Sequence, residues 1–195
     1  MEKFYIAEIS DELFGCMYGK SYKTDCTVPR EDLRYVHVVH KGFDGDTHEG
    51  ELVVNKKIAE KTLEIFKELY EISYPIEKIR LIDDYDANDE ASMADNNCSA
   101  FNFRKISYSN LLSNHAKGMA IDINPRYNPY VKMVEDRLSI EPANSVEYVD
   151  RSKDFPYKID HEDACFRIFM KHGFEWGGDW SNRKDYQHFE YVVNE

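Results

Sequence analysis

Two amphipathic helical patterns separated by short β-type segments constrain the fold of this chain most strongly. Apolar residues recur at helical spacing over residues 58–72, and Pro75 ends the pattern. Asn55 is the predicted N-cap of this helix, and Asp160 is the predicted N-cap of a second helix over residues 162–171. The mixture predicts an α+β fold, with a small, mainly antiparallel sheet flanked by helices and with long loops.

The remaining segments divide into predicted strands and predicted loops. Runs of β-branched and aromatic residues, or of alternating polarity, predict four strands, at residues 33–41, 79–83, 118–124 and 188–193. Stretches without a sustained period predict a turn and three loops, at residues 42–50, 1–33, 84–100 and 125–159. We expect an N-terminal extension with the first helix over 1–79, packed on a core over 80–195, in one structural domain overall.

Charge and hydropathy exclude several functional classes. The net charge of −12 repels phosphate backbones and anionic lipid, so we expect no nucleic-acid partner and no membrane docking. No segment approaches the about 20 consecutive apolar residues that span a bilayer. The 42% of apolar residues is too high for a disordered chain.

Three polar residues stand in settings that suggest one metal site. His115 precedes Gly118 closely, Asp122 lies inside an apolar strand, and His188 opens the last strand. A continuous strand or helix would keep His115 and Asp122 apart, but a turn at Gly118 can direct both to one point. Two imidazoles and one carboxylate with an open fourth position are typical of a catalytic zinc site. Each residue alone has a plainer interpretation, as a surface or hydrogen-bonded core residue.

Three further residues near this set have chemistry that such a site needs. Asp185 lies three residues before His188 and is the predicted general base, although a turn cap is its plainer interpretation. Glu190 shares a strand face with His188 and is expected to orient its imidazole, or else to form a salt bridge. Arg104 is a candidate cation for the substrate carbonyl, although nothing in its local sequence distinguishes it from a surface arginine.

Two segments resemble the signatures of the VanY-type zinc peptidases, a family of D-alanyl-D-alanine carboxypeptidases, dipeptidases and L-alanyl-D-glutamate endopeptidases. The first is SNHAKGMAID over residues 113–122, which has the S-x-H-x-x-G-x-A-x-D pattern. The second is WGGDW over 176–180, followed by DYQHFE over 185–190. The run SMADNNCSAFNFR over 92–104 resembles the approach to the site in the endopeptidase-like branch, except that Cys98 replaces an expected small hydroxyl residue.

The resemblance implies a role for each of these residues. The zinc ligands would be His115, Asp122 and His188. Asp185 would be the catalytic acid and base that acts with zinc-activated water, and Arg104 would hold the substrate carbonyl. Ser113 would support the site by hydrogen bonding, and Trp176 and Trp180 are expected either in the substrate cleft or in the core.

The resemblance also implies a substrate and a location. The partners would be peptidoglycan stem peptides, cut next to a D-amino acid by a monomeric enzyme. The first 18 residues lack the basic start and apolar run of a signal peptide. We therefore expect the cell wall or extracellular space if a signal was trimmed, and otherwise the cytoplasm until release. The alternative function is an inactive zinc-containing module that binds wall peptides or a protein partner.

Overall fold

Three antiparallel strands form the N-terminal half of the fold. In the computed structural model, which describes residues 3–107 and 109–193, they are β1 (Tyr5–Glu8), β2 (Leu33–Lys41) and β3 (Thr47–Asn55). They pair in the order β1-β2-β3, and β2 and β3 remain in register from Leu33↔Asn55 to Lys41↔Thr47. The predicted strand over 33–41 is confirmed with the same bounds. The predicted turn over 42–50 is shorter, because β3 begins at Thr47.

The predicted loop over residues 1–33 contains regular structure. Besides β1, it has the helix α1 (Asp11–Met17), where the Ser10 hydroxyl accepts a hydrogen bond from the backbone N–H of Leu13. This helix has seven residues, so it is too short to show a helical period. The capping serine followed by two acidic residues was the available local signal.

The two predicted helices are confirmed, but both predicted N-caps are wrong. Helix α2 (Ala59–Glu71) begins after Ile58, because Asn55 ends β3 and its side chain accepts from the N–H of Lys57 in the intervening turn. Helix α4 (Ala164–Lys171) is capped by Asp163, whose carboxylate accepts from the N–H of Cys165. The predicted cap Asp160 instead closes the preceding turn by accepting from the N–H of Glu162.

The predicted strand over 79–83 and the predicted loop over 84–100 are both corrected. The strand β4 (Lys78–Ile79) is shorter than predicted and pairs in parallel with β5 (Asn97–Cys98). Between them lies the short helix α3 (Asp89–Ala94), capped by the Asn88 side chain. Only one face of α3 contacts the rest of the protein, so the segment is largely polar. Its sequence therefore shows no helical pattern of apolar residues.

Two small sheets build the C-terminal half. Strand β6 (Ala120–Asp122) pairs with β11 (His188–Glu190), which pairs in turn with β9 (Glu175–Trp176). In the second sheet, β7 (Tyr130–Val134) lies between β8 (Arg137–Glu141) and β10 (Lys184–Asp185). The β6 and β11 strands are shorter than the predicted strands over 118–124 and 188–193.

The prediction of a loop over residues 125–159 is therefore wrong for residues 130–141, which form the β7–β8 hairpin. Its turn residues Glu135 and Asp136 both have positive φ, of 47° and 61°. This is the conformation of a tight hairpin turn, which asparagine and glycine usually occupy. Because this turn contains neither asparagine nor glycine, its sequence provides no signal for a hairpin.

One hydrophobic cluster connects the two halves of the chain. Phe66 of α2 and Phe169 of α4 belong to it together with Ile121 of β6 and Phe189 of β11. The α+β class with small, mainly antiparallel sheets is thus confirmed, although three separate three-stranded sheets replace the single predicted sheet. The division at residue 79 stays a prediction.

Two negative findings concern the described residues. None of their helices has the length and apolarity needed to cross a membrane. All four cysteines are free, so no bridge joins Cys16 to Cys26.

Candidate functional site

His115 lies on a short 3₁₀ turn whose conformation depends on its neighbours. The turn spans Asn114–Lys117, and the Ser113 hydroxyl accepts from the N–H of His115 at its start. Gly118 ends it with a φ of 67°. A Cβ at Gly118 would lie 2.7 Å from the backbone nitrogen of Asn55, so only glycine fits this position. The turn therefore holds the imidazole beside Asp122, the last residue of β6.

Asp122 and His188 are direct partners on neighbouring strands. They face each other in the antiparallel pairing of β6 with β11. Directly opposite residues project to the same face of a sheet, so both side chains point to the same place. This is the face that His115 covers from the 3₁₀ turn, as the predicted turn at Gly118 required.

The three side chains meet at nearly equal distances. The His115 Nε2 atom lies 3.1 Å from Nδ1 of His188 and 3.1 Å from Oδ2 of Asp122. The Nδ1 atom of His188 lies 3.1 Å from Oδ1 of Asp122. All three residues are at most 4% exposed. One ligand atom from each is within 4.8 Å of the others, so the group could hold a metal ion.

The second nitrogen of each imidazole has a separate acceptor. Nδ1 of His115 lies 2.6 Å from the carbonyl oxygen of Ala100, and Nε2 of His188 lies 2.9 Å from the Glu190 carboxylate. The Asn114 side chain donates to the same carboxylate at 2.7 Å. With protons on these outer nitrogens, the lone pairs of Nε2 of His115 and Nδ1 of His188 face Asp122.

The buried charges shift one another strongly. Burial alone would raise the pKa of Asp122, but the charge of His115 and hydrogen bonds from both imidazoles hold that pKa well below its usual range. Burial alone would lower the pKa of His188, but hydrogen bonds to Asp122 and Glu190 raise it to about 10. In the metal-free site His188 is therefore a cation between two carboxylates.

Asp185 faces the same cavity as these three residues. It ends β10, and its side chain is half-buried, with the Oδ1 atom inaccessible to solvent and without a hydrogen-bond partner among the described residues. Loss of hydration raises the pKa of Asp185 to about 7, although His188 and Arg104 oppose the rise. A carboxylate with such a pKa exchanges protons readily near neutral pH.

Arg104 lies on another wall of the cavity. Its Nη2 atom lies 2.7 Å from the Asp89 carboxylate, and both residues line a cavity of about 140 Å³. The guanidinium thus has a fixed position close to the site. The Ser113 N–H donates to the backbone carbonyl of Arg104, which joins this segment to the 3₁₀ turn.

Comparison with known proteins covers the segment that contains the site. Residues 107–191 match the family of D-alanyl-D-alanine carboxypeptidases. The resemblance predicted from the sequence is confirmed over this segment, which includes both signatures, and it supports a peptidase. Searches of curated proteins and of solved structures found no match to the chain.

The two tryptophans of the second carboxypeptidase signature occupy different environments. Trp180 lines the cavity, with its ring centroid 5.2 Å from that of His188. Trp176 is 4% exposed, lies in the hydrophobic core and donates from Nε1 to the Tyr186 carbonyl. A Cβ at Gly178 would lie 2.3 Å from the Trp176 ring, so this glycine makes room for the ring. Trp180 therefore lies where a molecule bound in the cavity would contact it, whereas Trp176 packs in the core and supports the turn.

Sequence reasoning missed several residues around the carboxypeptidase-like site. Gln187 and Arg183 line the cavity, as do Glu141 of β8 and Asp89 of α3. The first two lie within or beside the second signature, so the motif itself was a signal for them. Glu141 and Asp89 arrive from elements predicted as loops, and no local pattern identified them. Cys98 is buried in the core, where its sulfur accepts from the N–H of Asn124.

Proposed function

We propose that the protein is a zinc peptidase that hydrolyses peptidoglycan stem peptides next to a D-amino acid. The observation that carries the proposal is the convergence of His115, Asp122, His188 and Asp185 on one cavity, within the segment that matches the carboxypeptidase family. The family resemblance supplies the substrate class. The buried donor set supplies the expected metal chemistry.

The geometry of the three ligands fits zinc. With zinc–ligand bonds of about 2.0–2.1 Å, the ligand atoms of a tetrahedral site lie about 3.3 Å apart. The 3.1 Å between Nε2 of His115 and Nδ1 of His188 is close to this value, and each of these nitrogens also lies 3.1 Å from one carboxylate oxygen of Asp122. Each ligand imidazole donates its other N–H to an acceptor, so the groups that orient the two imidazoles are also in place. A water molecule or substrate would take the fourth position.

The chain's own residues would carry out the proton transfers. Zinc, when bound, lowers the pKa of water and polarises the peptide carbonyl. Asp185 would take a proton from the attacking water as the water oxygen bonds to the carbonyl carbon. Asp185 would then give this proton to the amine as the C–N bond breaks. Arg104 would stabilise the negative charge that develops on the carbonyl oxygen.

Replacing Asp185 tests this function directly. We expect Asp185→Asn to keep the fold and the metal but to lose about 100-fold or more in hydrolysis rate, since general acid–base catalysis contributes about that much. Purified, zinc-loaded protein would be incubated with defined muropeptides, and products would be read by mass spectrometry. Asp25→Asn, at an exposed loop position, is the matched control.

The outcomes separate the two candidate functions. Cleavage by the wild type that Asp185→Asn abolishes would support the peptidase. Near wild-type cleavage by Asp185→Asn would show that Asp185 is not the base. Tight binding of muropeptides by the wild type without any product would instead support the inactive binding module.

A further inference from the structure

Arg183 lines the cavity beside Trp180. Its guanidinium carbon lies 4.2 Å from the centroid of the Trp180 ring, at a distance typical of a cation–π contact. The Trp180 ring in turn lies beside the His188 ring. Arg183 lines the same cavity as the proposed metal ligands, so a molecule bound there would meet its guanidinium.

The hydrogen-bonding capacity of Arg183 is largely unused. Its Nη1 atom donates to the Asn182 side chain at 3.2 Å, whereas its Nε atom is buried without a hydrogen-bond partner in residues 3–107 and 109–193. No carboxylate of these residues lies within ion-pair distance of it. The other arginine of the cavity, Arg104, is by contrast paired with Asp89.

Arg183 differs from Arg104 in having no carboxylate partner among the described residues, although both line the cavity. The chain has 37 acidic residues and only 25 basic ones, so carboxylates are in excess. A buried donor without a partner costs about 1–3 kcal/mol. A ligand that supplies the acceptor to Arg183 would remove this cost. A carboxylate suits it best, because the guanidinium donates to two oxygens at once.

Gln187 adds a second unpaired group in the same cavity. It is 1% exposed, and its Oε1 atom has no hydrogen-bond partner in the described part of the chain. A buried amide oxygen of this kind accepts from an N–H group. Arg183 and Gln187 thus present a donor for an anion and an acceptor for an amide, a pair of features that a peptide with a free carboxylate matches.

The other charges of the cavity restrict where an anion can bind. Asp89, Glu141, Asp185 and Glu190 also line it, so a substrate carboxylate is repelled from those walls. The positive charge of Arg104 is already compensated by Asp89. The Arg183 side is the remaining cationic wall of the cavity, apart from the metal centre.

We propose that Arg183 determines specificity by binding a free carboxylate of the substrate peptide, with Trp180 positioning its guanidinium and Gln187 accepting a substrate N–H. This proposal rests on the proposed peptidase function. It predicts that the substrate has a free carboxylate beside the scissile bond, on its C-terminus or on a side branch.

The test compares matched peptides that differ at one carboxylate. Stem peptides would be prepared with free carboxylates, with the C-terminus amidated, and with the side-branch carboxylate amidated. We expect the wild type to prefer one carboxylate over its carboxamide by about 10-fold or more in kcat/KM, mostly through KM, as a charge-assisted hydrogen bond implies. Arg183→Gln should abolish this preference, and Arg183→Lys should restore only part of it because lysine cannot donate in parallel.

Two additional arms keep the test decisive. Arg137→Gln removes the same charge from an exposed position of β8 outside the cavity and should leave the preference unchanged. Calorimetric binding of the same peptides to metal-free protein measures the preference without hydrolysis. If the wild type cleaves nothing, the proposed function fails, yet this binding arm still decides the role of Arg183. A carboxylate preference that persists in Arg183→Gln, in either arm, would overturn the proposal.

Discussion

His188 contacts three other side chains of the site through its two ring nitrogens. One ring nitrogen faces Asp122 and His115, and the other contacts Glu190. Its position and its convergence with His115 and Asp122 were predicted from the sequence, as was the contact with Glu190, given there with a salt bridge as the alternative. The sequence places Glu190 on the same strand face, whereas the Ala100 carbonyl and the Asn114 side chain reach the site only in the folded chain.

We predict that His188→Ala abolishes metal binding. The substitution removes one of three ligands and leaves Asp122 and Glu190 without the cation between them. Elemental analysis of the purified variant should find less than a tenth of the wild-type zinc content, and unchanged zinc content would refute the ligand assignment. His161→Ala, at an exposed position, is the control.

A milder variant separates metal loss from misfolding. Glu190→Gln keeps the volume and a hydrogen bond to His188 but weakens its orientation, so metal affinity should fall about 10- to 100-fold. Circular dichroism would verify that both variants fold. Equal metal affinity in Glu190→Gln and wild type would contradict a role for this carboxylate in orienting His188.

Among the elements, the 3₁₀ turn before β6 has the strictest backbone requirement. Gly118 combines a left-handed conformation with a position where a Cβ would lie 2.7 Å from the backbone nitrogen of Asn55, the last residue of β3. The Asn55 N–H also donates to the Gly118 carbonyl at 2.8 Å. The turn that orients His115 is thus attached to the N-terminal sheet, although it belongs to the first signature, in the C-terminal half of the chain.

We therefore predict that Gly118→Ala destabilises the protein by about 2–4 kcal/mol and weakens metal binding. The added Cβ would force the turn away from β3 and move His115 relative to Asp122. Urea unfolding and metal titration would measure the two effects. Gly45→Ala is the matched control, because Gly45 has a φ of 81° but nothing within 4 Å of its Cβ position.

The control isolates backbone strain from steric contact. Gly45→Ala should cost only about 1–2 kcal/mol, the cost of the left-handed conformation alone. Equal destabilisation by the two variants would show that contact with β3 does not constrain the turn.

Element predictions succeeded where a period was long enough to read. Strand β2 and helices α2 and α4 have patterns of eight residues or more and were predicted with small errors at their ends. Helix α3 and the β7–β8 hairpin were missed because a helix of six residues is too short to show a period and a turn without glycine gives no local signal. These missed elements supply Asp89, Glu141 and Tyr130 to the cavity.

For the whole molecule, metal binding and folding should be linked. The ligands come from two segments separated by 66 positions, between Asp122 and His188, so the unfolded chain cannot present the site. At a zinc concentration of about 100 times the dissociation constant, the native state gains about 2.7 kcal/mol. For a chain of this length this raises the melting temperature by about 5–10 °C.

The stabilisation of the native state by zinc should increase with pH. The pKa of His188 is raised to about 10 in the metal-free protein, so its imidazolium stabilises the fold fully below its ordinary pKa of about 6.5 and loses this effect as pH rises towards 10. Metal binding needs the neutral imidazole and must release that proton. The zinc-dependent rise in melting temperature should therefore be larger at pH 8 than at pH 6, as differential scanning calorimetry would measure.

A reversed or absent trend would contradict the His188 assignment. Removal of the metal with a chelator should return the melting temperature to the metal-free value at each pH. The monomeric state and the cell-wall location expected from the sequence stay predictions at this scale.

The sequence by itself determined the residue types, the spacing and the two signatures, because a metal site of the proposed kind requires specific donors at positions that a short segment encodes. It also determined the α+β class, since helical and strand periods are local properties. Only the tertiary structure decided how the outer nitrogens of the imidazoles are held, which tryptophan faces the cavity, and which of the two arginines in the cavity has a carboxylate partner. These depend on contacts between distant segments, whose free energies are set by packing and burial that no local pattern records.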